Sequence, residues 1–307
     1  MTEQKRVIAL GFFDGVHRGH AELLNTTKRR AAELGLMPSV LSFDVHPDTL
    51  IFKRPVQLIN SAADREELIR RCFGIENVIF LHFSRHMMET PWRVFLDTLI
   101  DELNIAWIVI GHDFCCGYRG EGKAELIKEY CAEKGVGCDI LPALCEDGRV
   151  ISSSWIRELI SSGEIKKANE LLGHPHTLSD FVHSGYHLGR KLGTPTINMF
   201  FSDSVLIPRH GVYVTRVFLD GGESYCAVTN IGVRPTVSDE NTVSVESHLL
   251  DFDGGLYGRQ ARVEFYDFLR PEKKFDSFDS LSIQIKTDAE RARETINNVQ
   301  CTMNNAE

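Results

Sequence analysis

The stretch RVIALGFFDGVHRGH, residues 6–20, decides how the first half of the chain folds. After Arg6 it is apolar without alternation, which marks a strand buried on both faces rather than one with a wet side. Gly11 and Gly15 turn the chain, and from Arg18 the pattern becomes helical. Leu23, Leu24, Thr27, Ala31 and Leu34 fall on one stripe, and Gly35 can end it. A strand that runs through glycines into a helix leaves unpaired N–H groups and the positive end of the helix dipole at the turn, a setting that favours phosphate. His17 and His20 are three residues apart and share one side of the first helical turn. Two imidazole N–H donors aimed at one phosphate suit a transition state that gathers negative charge on its oxygens. Gly19 permits close approach of a ligand to the backbone. The candidate phosphate-binding residues of this segment are Gly11, Phe12, Asp14, Gly15 and Gly19, with His17 and His20 as the catalytic pair.

The same rhythm continues outward from this stretch. Continuous apolar runs at 38–43, 77–83, 106–111 and 137–141 read as further buried strands. Between them, Ser61 with Asp64 resembles a capping pair opening a second helix. Thr90 followed by Pro91 reads as cap and first helical residue of a third. Residues 121–134 make a fourth, stopped at Gly135. Alternating strands and helices predict an α/β, Rossmann-like domain with a parallel sheet covered on both faces. Beyond residue 152 the pattern changes. Short helices at 154–162 and 165–172 end at Gly163 and Gly173, and His174-Pro175-His176 reads as a joint. Alternating segments follow at 181–184, 196–201, 211–219, 224–231, 243–249 and 259–268, with Gly221-Gly222 as a hairpin turn. Six strands at this spacing predict an antiparallel barrel or sandwich. A terminal helix over 277–299, with Leu281, Ile285, Ala289 and Ile296 on one stripe, is expected to pack across it. At 307 residues the chain exceeds one hydrophobic core, and the expected domains are 1–173 and 174–307.

Composition narrows the partners. Lys and Arg number 34 against 43 Asp and Glu, a net charge of −9, which disfavours DNA or RNA as the main partner. No run approaches the roughly 18 apolar residues of a membrane span, and the start of the chain lacks a signal-peptide pattern. The eight cysteines form no CxxC pair, so free thiols in a reducing cytoplasm are expected. Whether copies associate as a homo-oligomer stays open.

A second chemical segment is ISSSWIR, residues 151–157. One of Ser152, Ser153 and Ser154 is needed as a helix cap. The others, with Arg157, can hold further phosphates of the ligand bound at the histidine segment.

The HxGH pattern at 17–20 is the mark of nucleotidylyl transferases, and the whole chain resembles the bacterial bifunctional riboflavin kinase/FMN adenylyltransferase family. The likeness rests on the two segments above and on GHDF (111–114) followed by Gly117. It extends through GRKLGTPTIN (189–198), GVY (211–213), NIGVRPT (230–236), VESHLLDF (245–252) and LYG (256–258). It implies a Rossmann-like nucleotidyltransferase domain followed by a six-stranded barrel kinase domain. The barrel would convert riboflavin and ATP to FMN, and the first domain would convert FMN and ATP to FAD and pyrophosphate. Mg2+ would serve both steps and ATP would be co-substrate. Gly189, Arg190 and Gly193 would wrap phosphates, Thr196 and Asn198 would sit at the metal, and Glu246 would accept the proton of the ribityl hydroxyl. His46, in FDVHP (43–47), and Asp113 would lie near the nucleotide or flavin. The chain departs from the family pattern at Val45, Cys115, Cys116, Asp180 and Thr194. An alternative is FMN adenylyl transfer alone, with an inactive or flavin-binding barrel.

Overall fold

The computed structural model describes residues 4–183, 196–201, 204–234 and 242–304. The chain forms two compact units, Met1–Ser153 and Ser154–Glu307.

In the first unit the strands are β1 (Arg6–Leu10), β2 (Met37–Phe43), β3 (Asn77–Leu81), β4 (Ile105–Gly111) and β5 (Gly137–Leu141). They form one parallel sheet in the order β3-β2-β1-β4-β5, so the strand order reverses beside β1. The helices are α1 (Arg18–Leu34), α2 (Ala62–Phe73), α3 (Trp92–Glu102) and α4 (Ala124–Glu133). Why the strands read as continuously apolar is visible in β1. Val7 and Ala9 join a core with Leu23, Leu24 and Ala31 of α1 and Leu68 and Ile69 of α2. Ile8 and Leu10 join the opposite core, with Phe95, Leu96 and Leu99 of α3 and Ile127 and Cys131 of α4. Successive residues face different helical layers, and both layers are dry.

Local details depart from the sequence reading in a few places. Leu34 is 46% exposed at the last turn of α1, so the stripe ends at Ala31. Thr90 does not cap α3. It closes a one-turn helix, Arg85–Glu89, and its hydroxyl donates to the His86 carbonyl at 2.8 Å, which leaves Pro91 as the cap residue. Gly35 does end α1, in a left-handed conformation, φ +66°.

The second unit opens with α5 (Ser153–Ser162, whose first residue belongs to the first unit) and α6 (Ile165–Leu172). Then come β6 (His176–Phe181), β7 (Thr196–Met199), β8 (Gly211–Leu219), β9 (Ser224–Arg234), β10 (Thr242–Leu249), β11 (Gln260–Arg270) and α7 (Phe278–Asn304). The strands form one antiparallel sheet, β6-β11-β8-β9-β10-β7. Its two edges meet just past β6, where the His183 N–H donates to the Asn198 carbonyl at 2.9 Å, which curls the sheet into a barrel. The first barrel strand begins at His176 rather than Phe181. Its start escapes the alternation test because His176 and Thr177 are polar yet buried. Tyr213 packs edge-on to Phe265 and Phe268 in the core. Thr215, Thr229 and Ser247, fully buried on three adjacent strands, form a hydroxyl chain with 2.7 Å steps. A slip in register would strand these hydroxyls, so the chain specifies the pairing. Asn169 ties α6 to the barrel, donating to the Phe265 carbonyl at 2.8 Å and accepting from the His176 N–H at 2.7 Å. Ala289, Ala292 and Ile296 seat α7 against Val214 and Leu250.

Candidate functional sites

The register of β1 with β4, Ala9 opposite Val109, sets the ends of both strands side by side at the point where strand order reverses. Open α/β sheets bind ligands at such crevices. The histidine segment follows β1, Gly111 ends β4, and exposed Asp113 lies just beyond it.

His17 is buried and caps α1: its Nδ1 accepts the His20 N–H at 3.3 Å. A ring nitrogen that accepts carries no proton, so the His17 proton resides on Nε2. The His20 ring stacks on that of His17, with centroids 3.6 Å apart and planes inclined by 16°. Burial, then the charges of His17 and Arg65, hold the His20 imidazole well below its usual pKa. The pair is thus built as neutral N–H donors. Gly19 has a reason beyond ligand access: a Cβ there would lie 3.1 Å from His17 Cε1. It makes room for the capping ring.

The loop before His17 is strained. Phe13, Gly15 and Val16 have φ of +57°, +78° and +42°, and Val16 is β-branched. Asp14, buried, turns its carboxylate to the backbone: Oδ1 accepts the N–H groups of Ile59 at 2.9 Å and Asn60 at 3.4 Å. Ser153 donates to the Asp14 carbonyl at 2.9 Å. Gly11 leaves room for the Phe13 ring, which a Cβ would meet at 3.0 Å. His46 caps the one-turn helix Pro47–Ile51, and its ring meets that of Phe12 edge-on at 4.6 Å. Ser152 directly precedes α5, exposed Ser154 opens the second unit, and half-buried Arg157 lies one turn along the helix. Arg65, which sequence reasoning passed over, is fully buried beneath Phe12. Nothing local marks it, because a cation on a helix normally reads as solvated.

In the second unit Asn198 stands opposite Glu246 across β7 and β10, and Asn230 stands opposite Glu246 across β9 and β10. Thr196 and Glu246 line a cavity of about 330 Å3 with Asn230, His248, Lys273 and Phe275 among its other walls. Lys273 thus belongs to the cavity as well. Arg270 pairs with buried Asp288 of α7 at 2.7 Å, fixing the helix as one wall. Burial, then Arg293, pushes the His248 imidazole below its usual pKa. Thr196, Asn198 and Glu246 offer oxygen donors only, the chemistry of a hard divalent cation. Among the described residues no group of three or more His, Cys, Asp or Glu could hold a metal, so such a cation would need substrate phosphates as further ligands. Gly189, Arg190, Gly193 and Thr194 lie outside the described residues.

A doubly wound sheet with neutral imidazoles at its switch point, joined in one chain to a curled barrel whose cavity Thr196 and Glu246 help to line, defines a phosphate-transferring enzyme of two catalytic units. Family models match both: FAD synthetase over residues 1–155 and riboflavin kinase over residues 172–296. The bifunctional riboflavin kinase/FMN adenylyltransferase of Listeria monocytogenes is 33% identical over 294 residues, covering 95% of this chain and 93% of that protein. That of Bacillus subtilis is 34% identical over 302 residues, covering 97% and 95%. A crystal structure described as a macrolide-efflux protein from Streptococcus pneumoniae matches with a TM-score of 0.84 at 32% identity, covering 95% of each chain. The chain belongs to the bifunctional riboflavin kinase/FMN adenylyltransferase family. It is a transferase, and the presence of both domains supports the bifunctional reading over adenylyl transfer alone. Among the described residues no helix is long and apolar enough to cross a membrane.

Proposed function

We propose that the second unit phosphorylates riboflavin to FMN and that the first adenylylates FMN to FAD. The observation that carries the second step is the stacked, neutral His17–His20 pair at the N-terminus of α1. An oxygen of the FMN phosphate attacks the α-phosphorus of ATP, and pyrophosphate leaves. The Nε2–H of His17, the His20 ring and the end of α1 meet the charge that builds on the α-phosphate. Gly11, Phe12, Gly15 and Gly19 shape the bed, while Asp14 holds it from behind. Ser152, Ser153, Ser154 and Arg157 are assigned to the remaining phosphates, and His46 and Asp113 to the nucleotide or flavin.

In the barrel, Glu246 accepts the proton of the ribityl 5′-hydroxyl as its oxygen attacks the γ-phosphorus, and ADP leaves. Its place on the cavity wall opposite Asn198 supports this role. Thr196 and Asn198 would hold Mg2+, which when bound neutralises phosphate charge. Gly189, Arg190 and Gly193 are assigned to the phosphates from the resemblance alone. We take 1–173 and 174–307 as the functional domains, the location as cytoplasmic, and the partners as riboflavin, FMN, FAD and ATP, with neither nucleic acid nor membrane among them. Product analysis after incubating the full chain with riboflavin, ATP and Mg2+ tests the reading: FMN should appear first and FAD after it. FAD from supplied FMN with no FMN from riboflavin would leave adenylyl transfer alone.

A further inference from the structure

We propose that Arg65 is the positioning residue of adenylyl transfer: its guanidinium bolts the end of β1 to the end of β2 and so holds the strained histidine loop in its working shape. The proposal rests on the adenylyltransferase reading of the first unit. Arg65 projects from α2 and is 0% exposed. Its Nη1 donates to the Phe12 carbonyl and to Ser42 Oγ, and its Nη2 donates to the Phe43 carbonyl at 2.9 Å. Ser42 Oγ donates to the same Phe12 carbonyl at 2.8 Å. The guanidinium also lies 4.1 Å over the Phe12 ring, whose edge meets His46. One side chain therefore links the loop that carries His17 and His20 to the loop that carries His46.

The linkage is reciprocal. While Arg65 grips the loop from α2, Asp14 of the loop grips the Ile59 and Asn60 N–H groups just ahead of α2. These grips, at residues 12 and 14, bracket Phe13 and lead directly into Gly15 and Val16, the three residues of the loop with positive φ. Backbone in that region is unfavourable for a non-glycine residue and persists only where its surroundings over-determine it. Released from Arg65, the loop would relax, and the cap and stack of His17 on His20 would go with it.

A buried arginine normally has a carboxylate against it. Among the described residues no carboxylate lies within ion-pair distance of Arg65. Burial pushes its pKa down to about 10, with Asp14 and Asp44 opposing the shift only through space. It remains charged at neutral pH, and its Nε has no hydrogen-bond partner among the described residues. A cation retained on such terms, beneath a loop meant for phosphate, does more than fill the core.

The test uses the full chain and compares R65Q, R65K and H20A. Steady-state FAD formation from FMN and ATP is measured, and contacts between the His17 and His20 ring protons are read by nuclear Overhauser NMR. R65Q should lower kcat about 100-fold, the scale of a misplaced catalytic group, with KM for ATP and FMN within about threefold. The ring contacts should be lost. R65K, which keeps the charge and one donor, should recover most of both. Wild-type kcat in R65Q beside a disabled H20A would overturn the role of Arg65 and leave the site reading intact. Wild-type kcat in H20A would overturn the site reading, and the proposal with it. Intact ring contacts in R65Q with reduced thermal stability, or failure of both Arg65 variants to fold, would make the residue structural and refute positioning.

Discussion

Replacing His17 by Ala and by Asn separates two jobs that one imidazole performs. Nδ1 caps α1 by accepting the His20 N–H at 3.3 Å, and the opposite nitrogen carries the proton offered to phosphate. Loss of a cap to Ala costs about 0.5–2 kcal/mol, whereas Asn is among the best caps. The first compact unit is Met1–Ser153, a size at which 1 kcal/mol moves Tm by roughly 2–4 °C. His17→Ala should therefore lower its melting temperature by roughly 1–8 °C, and His17→Asn by about 1 °C or less. Both variants lose the Nε2–H donor and the stack on His20. Removing one donor to a developing oxyanion costs about 3–4 kcal/mol, so kcat for FAD formation should fall roughly 100- to 1,000-fold in both. Calorimetry gives the first quantity and chromatographic FAD assay with saturating FMN and ATP the second. Asn that melts as early as Ala would show that Nδ1 is not the cap. Asn that makes FAD at the wild-type rate would remove His17 from the chemistry.

Glu246→Gln should reduce FMN formation by about 100- to 10,000-fold, the usual worth of a general base, while FAD formation from supplied FMN persists; unchanged FMN formation would release Glu246 from that role. His176 is buried with neither ring nitrogen hydrogen-bonded among the described residues, and burial, then the charge of His174, depresses its pKa to about 3. The unfolded chain therefore takes up this proton first, so barrel stability should be full above about pH 6.5 and fall by about 1.4 kcal/mol per pH unit toward pH 3. His176→Leu should flatten that acid limb in denaturant titrations, and an unchanged limb would rule the histidine out as its cause. A fragment 154–307 should be more stable to urea than one starting at residue 174, by about 1–3 kcal/mol for the lost Asn169 bonds alone. Equal midpoints and slopes would show that α5 and α6 add nothing to the barrel.

The α/β half was legible because β1 and its neighbours are buried on both faces, and that leaves an uninterrupted apolar run in the sequence. Helix ends were legible where the signal is chemically local, as at Gly35 and Ser61, whose hydroxyl does accept the Asp64 N–H. Thr90 misled because its hydroxyl had a nearer carbonyl to satisfy. The start of β6 was hidden because His176 is an imidazole in a dry core, which no polarity pattern anticipates.

The order of strands and helices, the placing of two histidines on one helical turn and the family likeness can thus be read along the chain. All of these depend on residues close in the chain or on ordered short motifs. Only in the packed fold does Arg65 come to lie beneath Phe12, Asp14 face backbone, Gly19 accommodate a ring, and Lys273 share a cavity with Glu246. Each of those facts is a contact between elements that the chain separates. A charged side chain carries no mark of whether water or a carbonyl will surround it until packing closes over it.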